Sequence, residues 1–466
     1  MGKKSSYFGI LRTRVLVIGA GASGLAAAIA AARAGASVCA ADHQNQAGKK
    51  ILITGNGRCN LGNTFLTEDC WRGSHPKFLR GIPGIFDARN TTGFFERLGI
   101  VIRRDGTWCY PASGQASTIR DVLLRELQAS GAKLLTGCGV EGIRVLSGAA
   151  GREEGPAPFG MGTPEAANEK AEPGEDQPRF AVHTNLGEIL ADAVILAAGS
   201  QAAPDTGSDG SGYALAASLG HPIVKPLPAL VQLRCREEAI LSGWAGIRFH
   251  GRVTLEISER DKLSGDHTGS GTDGASGNLS PSDEGEIQLT GYGISGIPVF
   301  QVSRFAARAL DAGRSVRARL NFWPDEGVED IRARLLARRR DLGDCYSSEL
   351  LIGWFHRKIG DTLLSLAGIP RNIRISEVTD RMLDTLVPEI TSFPLTVTGT
   401  NSFAQAQTCS GGVDTAEVDP ETMASSLVPG LYFAGEILDV DGICGGYNLH
   451  FAWRTGEIAG EAAARF

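Results

Sequence analysis

The first hydrophobic runs of the chain predict a strand, a helix and a second strand. Val15 to Ile18 form a short apolar run rich in β-branched residues, which is typical of a strand buried on both faces. The stretch from about Ser23 to Arg33 is mostly alanine, the residue with the highest helix propensity. A second apolar run from Ala36 to Ala41 predicts another strand. This order indicates the beginning of an α/β domain.

The spacing of hydrophobic positions changes twice further along the chain. From about Lys225, apolar and polar residues alternate, as at Val253, Leu255 and Ile257, which predicts antiparallel strands with one exposed face. Residues 326–385 instead show helical spacing. The last part of the chain returns to short apolar runs separated by glycine turns. The pattern therefore predicts an α/β domain interrupted by a β barrel-like section and a helical section.

Two stretches contain too few large apolar side chains to form packed structure. Residues 147–178 are rich in Gly, Pro, Ala and Glu, so they bury too little apolar surface to offset the entropy lost on ordering. Residues 261–285 are mostly Ser, Gly, Asp and Thr and lie between two predicted strands. We predict a disordered surface insert for the first stretch and a mobile hairpin loop for the second.

A glycine motif lies between the first predicted strand and the alanine-rich helix. Gly19, Gly21 and Gly24 form G-x-G-x-x-G, which allows a sharp turn, close approach to a pyrophosphate, and close packing of the helix on the strand. The N-terminus of that helix offers free N–H groups to an anion. Asp42 follows at about the distance where an acid bonds a ribose hydroxyl. The motif predicts a dinucleotide site and leaves S-adenosylmethionine open, and the acid argues against a 2′-phosphate.

The net charge and the cysteine spacing limit the classes of partner and of metal or redox site that we expect for this chain. The net charge of −6 gives no general attraction to nucleic acid or anionic lipid. The nine cysteines form no C-x-x-C pair, so we predict neither a metal site nor a redox dithiol, and we expect reduced cysteines in a cytoplasmic protein. We also expect no membrane partner, because no run outside the glycine motif is long and apolar enough to cross a bilayer. The oligomeric state stays open.

Two longer motifs resemble those of a known family. One is GKKILITGNGRCN at 48–60, and the other combines GE at 435–436 with GGYNL at 445–449. Together they resemble a family of bacterial flavoproteins that includes aminoacetone-oxidase-like proteins and bile-acid dehydroxylation reductases. The resemblance covers nearly the whole chain except the two inserts. Some members of that family have a glycine where Asn56 stands.

The resemblance implies that the glycine motif binds FAD rather than NAD. The implied fold class is α/β, a Rossmann-like FAD-binding domain of the two-dinucleotide-fold type, interrupted by a β barrel-like and helical substrate domain. The implied boundaries are 14–225 for the first part of the FAD-binding domain, 226–325 for the β-rich substrate domain, 326–386 for a helical subdomain and 387–466 for the second part of the FAD-binding domain.

The resemblance also implies a set of residues that bind FAD. The strand at Val140 would contact the adenine, and Glu436 would bind the ribityl region. The N-terminus of the last helix would place positive potential beside the flavin N1–C2=O edge, which stabilises the anionic reduced flavin. The predicted cofactor residues are Gly19, Gly21, Ala22, Ser23, Gly24, Asp42, Lys50, Gly57, Arg58, Cys59, Asn60, Val140, Ala198, Gly199, Gly435, Glu436, Gly442, Gly445, Gly446, Tyr447 and Asn448.

The activity implied by the resemblance is an FAD-dependent oxidoreductase that transfers hydride at flavin N5 to a small organic substrate. We predict a NAD(P)H-linked reductase of a C=C bond, as in a bile-acid or steroid enone. The alternatives are an amine oxidase of the aminoacetone-oxidase type and a flavin-carrying nucleic-acid-modification protein. No second G-x-G-x-x-G is present, so NAD(P)H would bind transiently or would not be the donor. The candidate catalytic residues are Arg58, Cys59, Tyr110 and Tyr447, with Tyr292 and His450 as further candidate proton donors.

Overall fold

The computed structural model describes residues 7–146, 178–258 and 280–466. The chain divides into two compact units, the first comprising Met1–Pro226 and Thr408–Phe466 and the second Leu227–Gln407. The predicted disordered insert lies outside the described residues except for its last position, and so does most of the predicted mobile loop. No helix within the described ranges is long and apolar enough to cross a membrane.

Short elements alternate along the described chain. The strands, in chain order, are β1 (Gly9–Ile18), β2 (Val38–Asp42), β3 (Gly62–Asn63), β4 (Trp71–Arg72), β5 (Ile102–Asp105), β6 (Trp108–Pro111), β7 (Lys133–Thr136), β8 (Val140–Val145), β9 (Phe180–Thr184), β10 (Gly187–Leu196), β11 (Ile223–Ala229), β12 (Leu233–Cys235), β13 (Arg248–Ile257), β14 (Ser282–Thr290), β15 (Gly293–Gly296), β16 (Val316–Asn321), β17 (Phe393–Thr400), β18 (Thr408–Val413), β19 (Leu431–Phe433) and β20 (Asp441–Gly442). The α-helices are α1 (Ala22–Arg33), α2 (Lys77–Gly81), α3 (Ala88–Arg97), α4 (Ala116–Ala129), α5 (Ser211–Ser218), α6 (Glu238–Trp244), α7 (Ile297–Asp311), α8 (Val328–Asp341), α9 (Arg357–Leu366), α10 (Asp380–Thr391) and α11 (Tyr447–Arg465).

The first unit is built on a seven-stranded sheet with the order β7-β2-β1-β10-β9-β8, in which β19 also pairs with β10. Strand β1 lies between β2 and β10 and is parallel to both, as expected for a doubly wound nucleotide-binding fold. The sequence placed the start of this domain at residue 14, but β1 begins at Gly9. The earlier start arises because Gly9 to Thr13 pair with Gly187 to Ala191 of β10.

Helices α1 and α11 pack closely in the first unit because glycine faces the contact. A β-carbon added at Gly456 would lie 2.4 Å from the backbone oxygen of Ser23. One added at Gly460 would lie 2.2 Å from the backbone oxygen of Ala27. Both distances are too short for any side chain, so these glycines bring the C-terminal helix against the nucleotide-motif helix.

The second unit contains a closed barrel with the strand order β12-β15-β14-β13-β16-β17, which confirms the predicted β barrel-like section. Phe393, Leu395 and Val397 of β17 are buried in its core. The barrel strands share this core with helices α8 to α10, which correspond to the predicted helical subdomain.

Two predicted boundaries in this part of the chain were wrong. The second part of the FAD-binding domain was predicted from residue 387, but β17 pairs with β12 and β16 and completes the barrel. The mobile loop was predicted to reach residue 285, but β14 begins at Ser282 and pairs with β13. The first half of β14 is exposed or only half-buried, so its side chains are polar and give little strand signal in the sequence.

Candidate functional site

The turn between β1 and α1 has the geometry of an anion site. Gly19 has φ +101°, and a β-carbon there would lie 2.4 Å from the backbone oxygen of Ala197. A β-carbon at Gly24 would lie 1.9 Å from the backbone oxygen of Gly19. Gly21 has no atom within 4 Å of its added β-carbon, and no side chain caps the helix there. The first N–H groups of α1, at Ala22 and Ser23, are therefore available to a diphosphate.

Asp42 ties the end of β2 to this turn. Its Oδ2 accepts a hydrogen bond from the backbone N–H of Ala20 at 2.8 Å, and its Oδ1 accepts one from Gln44 at 2.7 Å. Each carboxylate oxygen keeps a second lone pair for a ribose hydroxyl. Val140 lies near this end of the sheet, because a β-carbon on the preceding Gly139 would be 3.6 Å from the β-carbon of His43.

The C-terminal Gly-Glu motif lies against the first turn of α1. A β-carbon at Gly435 would be 2.5 Å from Ser23 Oγ. The next residue, Glu436, forms an ion pair with Lys50, with Nζ 2.6 Å from Oε2. Ser200 Oγ also donates to Glu436 Oε2 at 3.3 Å. Residues that are far apart in sequence thus surround one helix N-terminus.

The small residues after β10 complete this side of the site. A β-carbon at Gly19 would lie 2.9 Å from the α-carbon of Ala198. Gly199 has φ +77°, and Ser208 Oγ would be 2.8 Å from its added β-carbon. Larger side chains at these positions would fill the space next to the glycine turn.

A second glycine turn precedes α11. Gly445 and Gly446 have φ +132° and +92°. A β-carbon at Gly446 would be 2.7 Å from Asn60 Oδ1, which is buried and has no hydrogen-bond partner among the described residues. Gly442 and Asn448 exchange two hydrogen bonds, which fix the approach to the helix. A buried free acceptor beside a helix N-terminus fits a flavin ring, which presents N–H and carbonyl groups along one edge.

These observations fit FAD in the first unit. The α1 N-terminus would hold the diphosphate, Asp42 and Val140 lie at the adenosine end, and Asn60 with the α11 N-terminus lies at the flavin end. The glycine turn leaves the open space that the cofactor needs.

The segment from Gly55 to Cys59 has an unusual backbone. Gly55, Asn56, Gly57 and Cys59 all have φ between +54° and +81°. Residues held in this left-handed region cluster at ligand-binding and catalytic sites. Asn56 suits this conformation, since asparagine tolerates left-handed backbone better than most residues.

Arg58 of this segment lies over a buried tyrosine. Its Cζ is 4.5 Å from the centre of the Tyr110 ring, and its Nη2 is 3.5 Å from Tyr110 Oη. Arg58 is exposed and forms no ion pair among the described residues. Burial is the main cause that raises the pKa of Tyr110, so the phenol keeps its proton at neutral pH.

Three other candidate residues, Cys59, Tyr447 and His450, are buried in the protein interior. Cys59 is fully buried, and burial raises the pKa of its thiol to about 12. Burial also raises the pKa of Tyr447. His450 is fully buried, and burial lowers its pKa to about 4. Its Nε2 donates to the Ile85 carbonyl at 2.7 Å, and its Nδ1 accepts from Thr91 Oγ1 at 2.8 Å. With both nitrogens engaged, His450 is a structural residue and not a proton donor.

Most predicted site residues form three groups in the first unit, Asp42 and Val140 lie at the adenosine end of the site, and one candidate lies elsewhere. The group at the α1 N-terminus is Gly19, Gly21, Ala22, Ser23, Gly24, Lys50, Ala198, Gly199, Gly435 and Glu436. The group at the α11 N-terminus is Cys59, Asn60, Gly442, Gly445, Gly446, Tyr447 and Asn448. Gly57, Arg58 and Tyr110 form the third. Tyr292 belongs to the second unit, where its Oη is 3.1 Å from Asn401 Nδ2.

Two residues that support the site carry no motif that could have predicted them. Ser200 binds Glu436 through its hydroxyl, and Gln44 binds Asp42 through its backbone N–H. Neither a lone serine nor a backbone donor forms a recognisable motif, so only the folded arrangement reveals them.

Comparison with known proteins agrees with this arrangement. The family model described as "HI0933-like protein Rossmann domain" matches residues 13–152 and 165–462. The chain is 37% identical to the 3-dehydro-bile acid delta(4,6)-reductase of Clostridium scindens, over 97% of this chain and 99% of that protein. It is 26% identical to the ribosomal RNA dihydrouridine synthase of Haemophilus influenzae, over 94% of this chain and 96% of that protein. Among solved structures, the open conformation of a flavocytochrome c3 fumarate reductase matches with a TM-score of 0.46 and 16% identity over 98% of this chain and 78% of that one.

The family match covers most of the chain, and it confirms the resemblance that the two motifs indicated. The chain belongs to the HI0933-like family and is an FAD-dependent oxidoreductase with a Rossmann-type FAD-binding domain.

Proposed function

We propose that this enzyme reduces a carbon–carbon double bond of a small organic substrate, in the class of bile-acid or steroid enones, with NAD(P)H as the electron donor. The observation that carries the proposal is the 37% identity, over 97% of this chain, to a protein named as a 3-dehydro-bile acid delta(4,6)-reductase. A 3-oxo group conjugated with double bonds makes the distal carbon electrophilic, so a hydride donor suits such a substrate.

FAD bound in the first unit supplies hydride transfer at N5 of its flavin. The contribution of the chain is to bind, orient and stabilise charge. The α11 N-terminus provides positive potential beside Asn60 and favours negative charge at that edge of the site. NAD(P)H would bind transiently, because the chain has no second glycine motif for it.

Saturation of a conjugated double bond also requires a proton. Among the predicted donors, Tyr110 is the one that the geometry favours, because its phenol stays protonated and lies beside the exposed Arg58 guanidinium. Arg58 would stabilise the negative charge left when Tyr110 gives up its proton. Cys59 and His450 are fully buried, so neither side chain has exposed surface from which to reach a substrate.

A second candidate function is reduction of a uracil ring in RNA. It is favoured by the 26% identity to a ribosomal RNA dihydrouridine synthase, a name that also describes saturation of a ring C=C bond next to a carbonyl group. We rank it second because the net charge of −6 gives no general attraction to a polyanion.

The test is anaerobic turnover of the FAD-loaded protein with NADH or NADPH. One reaction contains a 3-oxo-4,6-diene steroid acid, and a parallel reaction contains unmodified ribosomal RNA. We expect the steroid product to gain hydrogen at its double bond, as measured by mass spectrometry. Reduction of RNA alone would favour the second candidate, and oxygen uptake with aminoacetone would favour amine oxidation. Failure of all substrates with a nicotinamide-reducible flavin would overturn the proposed substrate class.

A further inference from the structure

The site at the α1 N-terminus contains an electrostatic conflict. Glu436 follows Gly435, which lies against Ser23 in the first turn of α1. That turn is the place where the sequence motif and the open space over Gly21 accommodate the FAD diphosphate. A free carboxylate at this position would repel the phosphate charges, and the repulsion is strong in a partly buried site.

The structure resolves this conflict through Lys50. Its ammonium group is 2.6 Å from Glu436 Oε2. The Lys50 and Glu436 side chains are only 22% and 18% exposed, so solvent screens the pair incompletely. Lys50 comes from the Lys50–Gly57 segment and Glu436 from the end of the chain, so only the fold brings them together.

Both protein contacts of the carboxylate go to the same oxygen. Lys50 Nζ and Ser200 Oγ each donate to Glu436 Oε2, the latter at 3.3 Å. Among the described residues, no group donates to Oε1. One carboxylate oxygen is therefore fixed by the protein, while the other is left for a ligand that donates a hydrogen bond.

Other titratable groups near Glu436 do not replace Lys50. The negative charge of Glu436 acts on Cys409 and Tyr213. Burial is the largest cause for both groups: it raises the pKa of Cys409 to about 11, and it also strongly raises the pKa of Tyr213. Both groups are neutral at physiological pH. Asp439, which Tyr213 also senses, is an acid, and its Oδ2 accepts from the Ser74 backbone. Lys50 is thus the positive partner of Glu436 in the described part of the chain.

We propose that Lys50 is a positioning residue for FAD. It neutralises Glu436 beside the diphosphate and holds Oε2, so that Oε1 accepts a hydrogen bond from a ribityl hydroxyl of the cofactor. This inference rests on FAD binding and does not depend on which substrate the enzyme reduces.

The test is the dissociation constant of FAD from the apoprotein, measured by quenching of flavin fluorescence. Lys50→Met should raise the dissociation constant about 10- to 100-fold, because it leaves Glu436 as an uncompensated charge. Lys50→Arg keeps the charge and should stay within about threefold of the wild type. Lys49→Met is the matched control, since Lys49 is the exposed neighbour and bonds Gln44 and the Asp205 carbonyl instead of an acid.

A double variant separates neutralisation from direct phosphate binding. If Lys50 acts through Glu436, Lys50→Met combined with Glu436→Gln should bind FAD more tightly than Lys50→Met alone. Equal losses for Lys50→Met and Lys49→Met would overturn the proposal. So would a double variant no better than Lys50→Met, which would make Lys50 a direct phosphate ligand. Circular dichroism confirms that each variant is folded.

Discussion

Replacement of Asp42 by alanine should weaken the protein even without its cofactor. The sequence motif assigns this acid to the ribose of the nucleotide. In the structure its carboxylate already accepts hydrogen bonds from the backbone of Ala20 at 2.8 Å and of Gln44 at 2.7 Å. Asp42→Ala therefore removes two internal contacts as well as the ribose contact.

The magnitude follows from these two contacts. A hydrogen bond to a charged group contributes about 1.5–3 kcal/mol to stability. Asp42 is only half-buried, so we take the lower value for each bond and expect a loss of about 3 kcal/mol. The backbone N–H of Ala20 is left without its partner in the glycine turn, which should also loosen the anion site.

The assay is urea unfolding of the apoprotein, with FAD affinity measured separately. Asp69→Ala is the control, because Asp69 is exposed and its carboxylate has no bonding partner in the described structure. We expect Asp42→Ala to lower the unfolding free energy of the apoprotein and to weaken FAD binding, with Asp69→Ala close to the wild type. An apoprotein of unchanged stability that has lost FAD would show that Asp42 serves the ribose alone, and our reasoning about the turn would be wrong.

Two further variants test the chemistry and the charge distribution. Tyr110→Phe should lower kcat about 100-fold or more if this phenol donates the proton, with FAD affinity unchanged; unaltered turnover would remove Tyr110 from the mechanism. Burial raises the pKa of Glu457 to about 7 although Arg97 and Arg454 lie nearby, so the folded state holds a proton that the unfolded state releases above its lower pKa. The stability from this group is present at low pH and is lost as pH rises through about 7. Glu457→Gln should therefore gain about 3 kcal/mol of unfolding free energy at pH 8 and almost none at pH 4 in urea titrations; an equal gain at both pH values would contradict the assignment.

The nucleotide half of the fold was predictable because its signals are local. Gly19 and Gly24 are required by close contacts within one turn and its neighbouring strand, Gly21 leaves open space there, and the alanine-rich run after them has high helix propensity. The alternating pattern of the second unit likewise predicted a barrel, since each strand buries every second residue.

The features that the sequence did not reveal depend on partners distant in the chain. Phe393 to Thr400 have an ordinary strand pattern, and only their pairing with β12 and β16 assigns them to the barrel. His450 follows the second motif, and its position in the sequence made it a candidate proton donor. In the structure its Nδ1 bonds Thr91 and its Nε2 bonds the Ile85 carbonyl, so neither nitrogen is free. Lys50 and Glu436 each belonged to a predicted set of cofactor residues, and no spacing rule could show that they bind each other. Such contacts form when the ends of the chain meet, so local patterns do not encode them.

The central claim is that this chain carries FAD and uses it for oxidoreduction. The most direct measurement is the visible absorption spectrum of the purified protein, followed by anaerobic addition of NADH and then NADPH. We predict the two absorption bands of oxidised flavin, identification of the released cofactor as FAD, and bleaching of the bands by a nicotinamide. Flavin that is present but not bleached would contradict the nicotinamide donor. No flavin, even after FAD is added to the protein, would contradict the central claim.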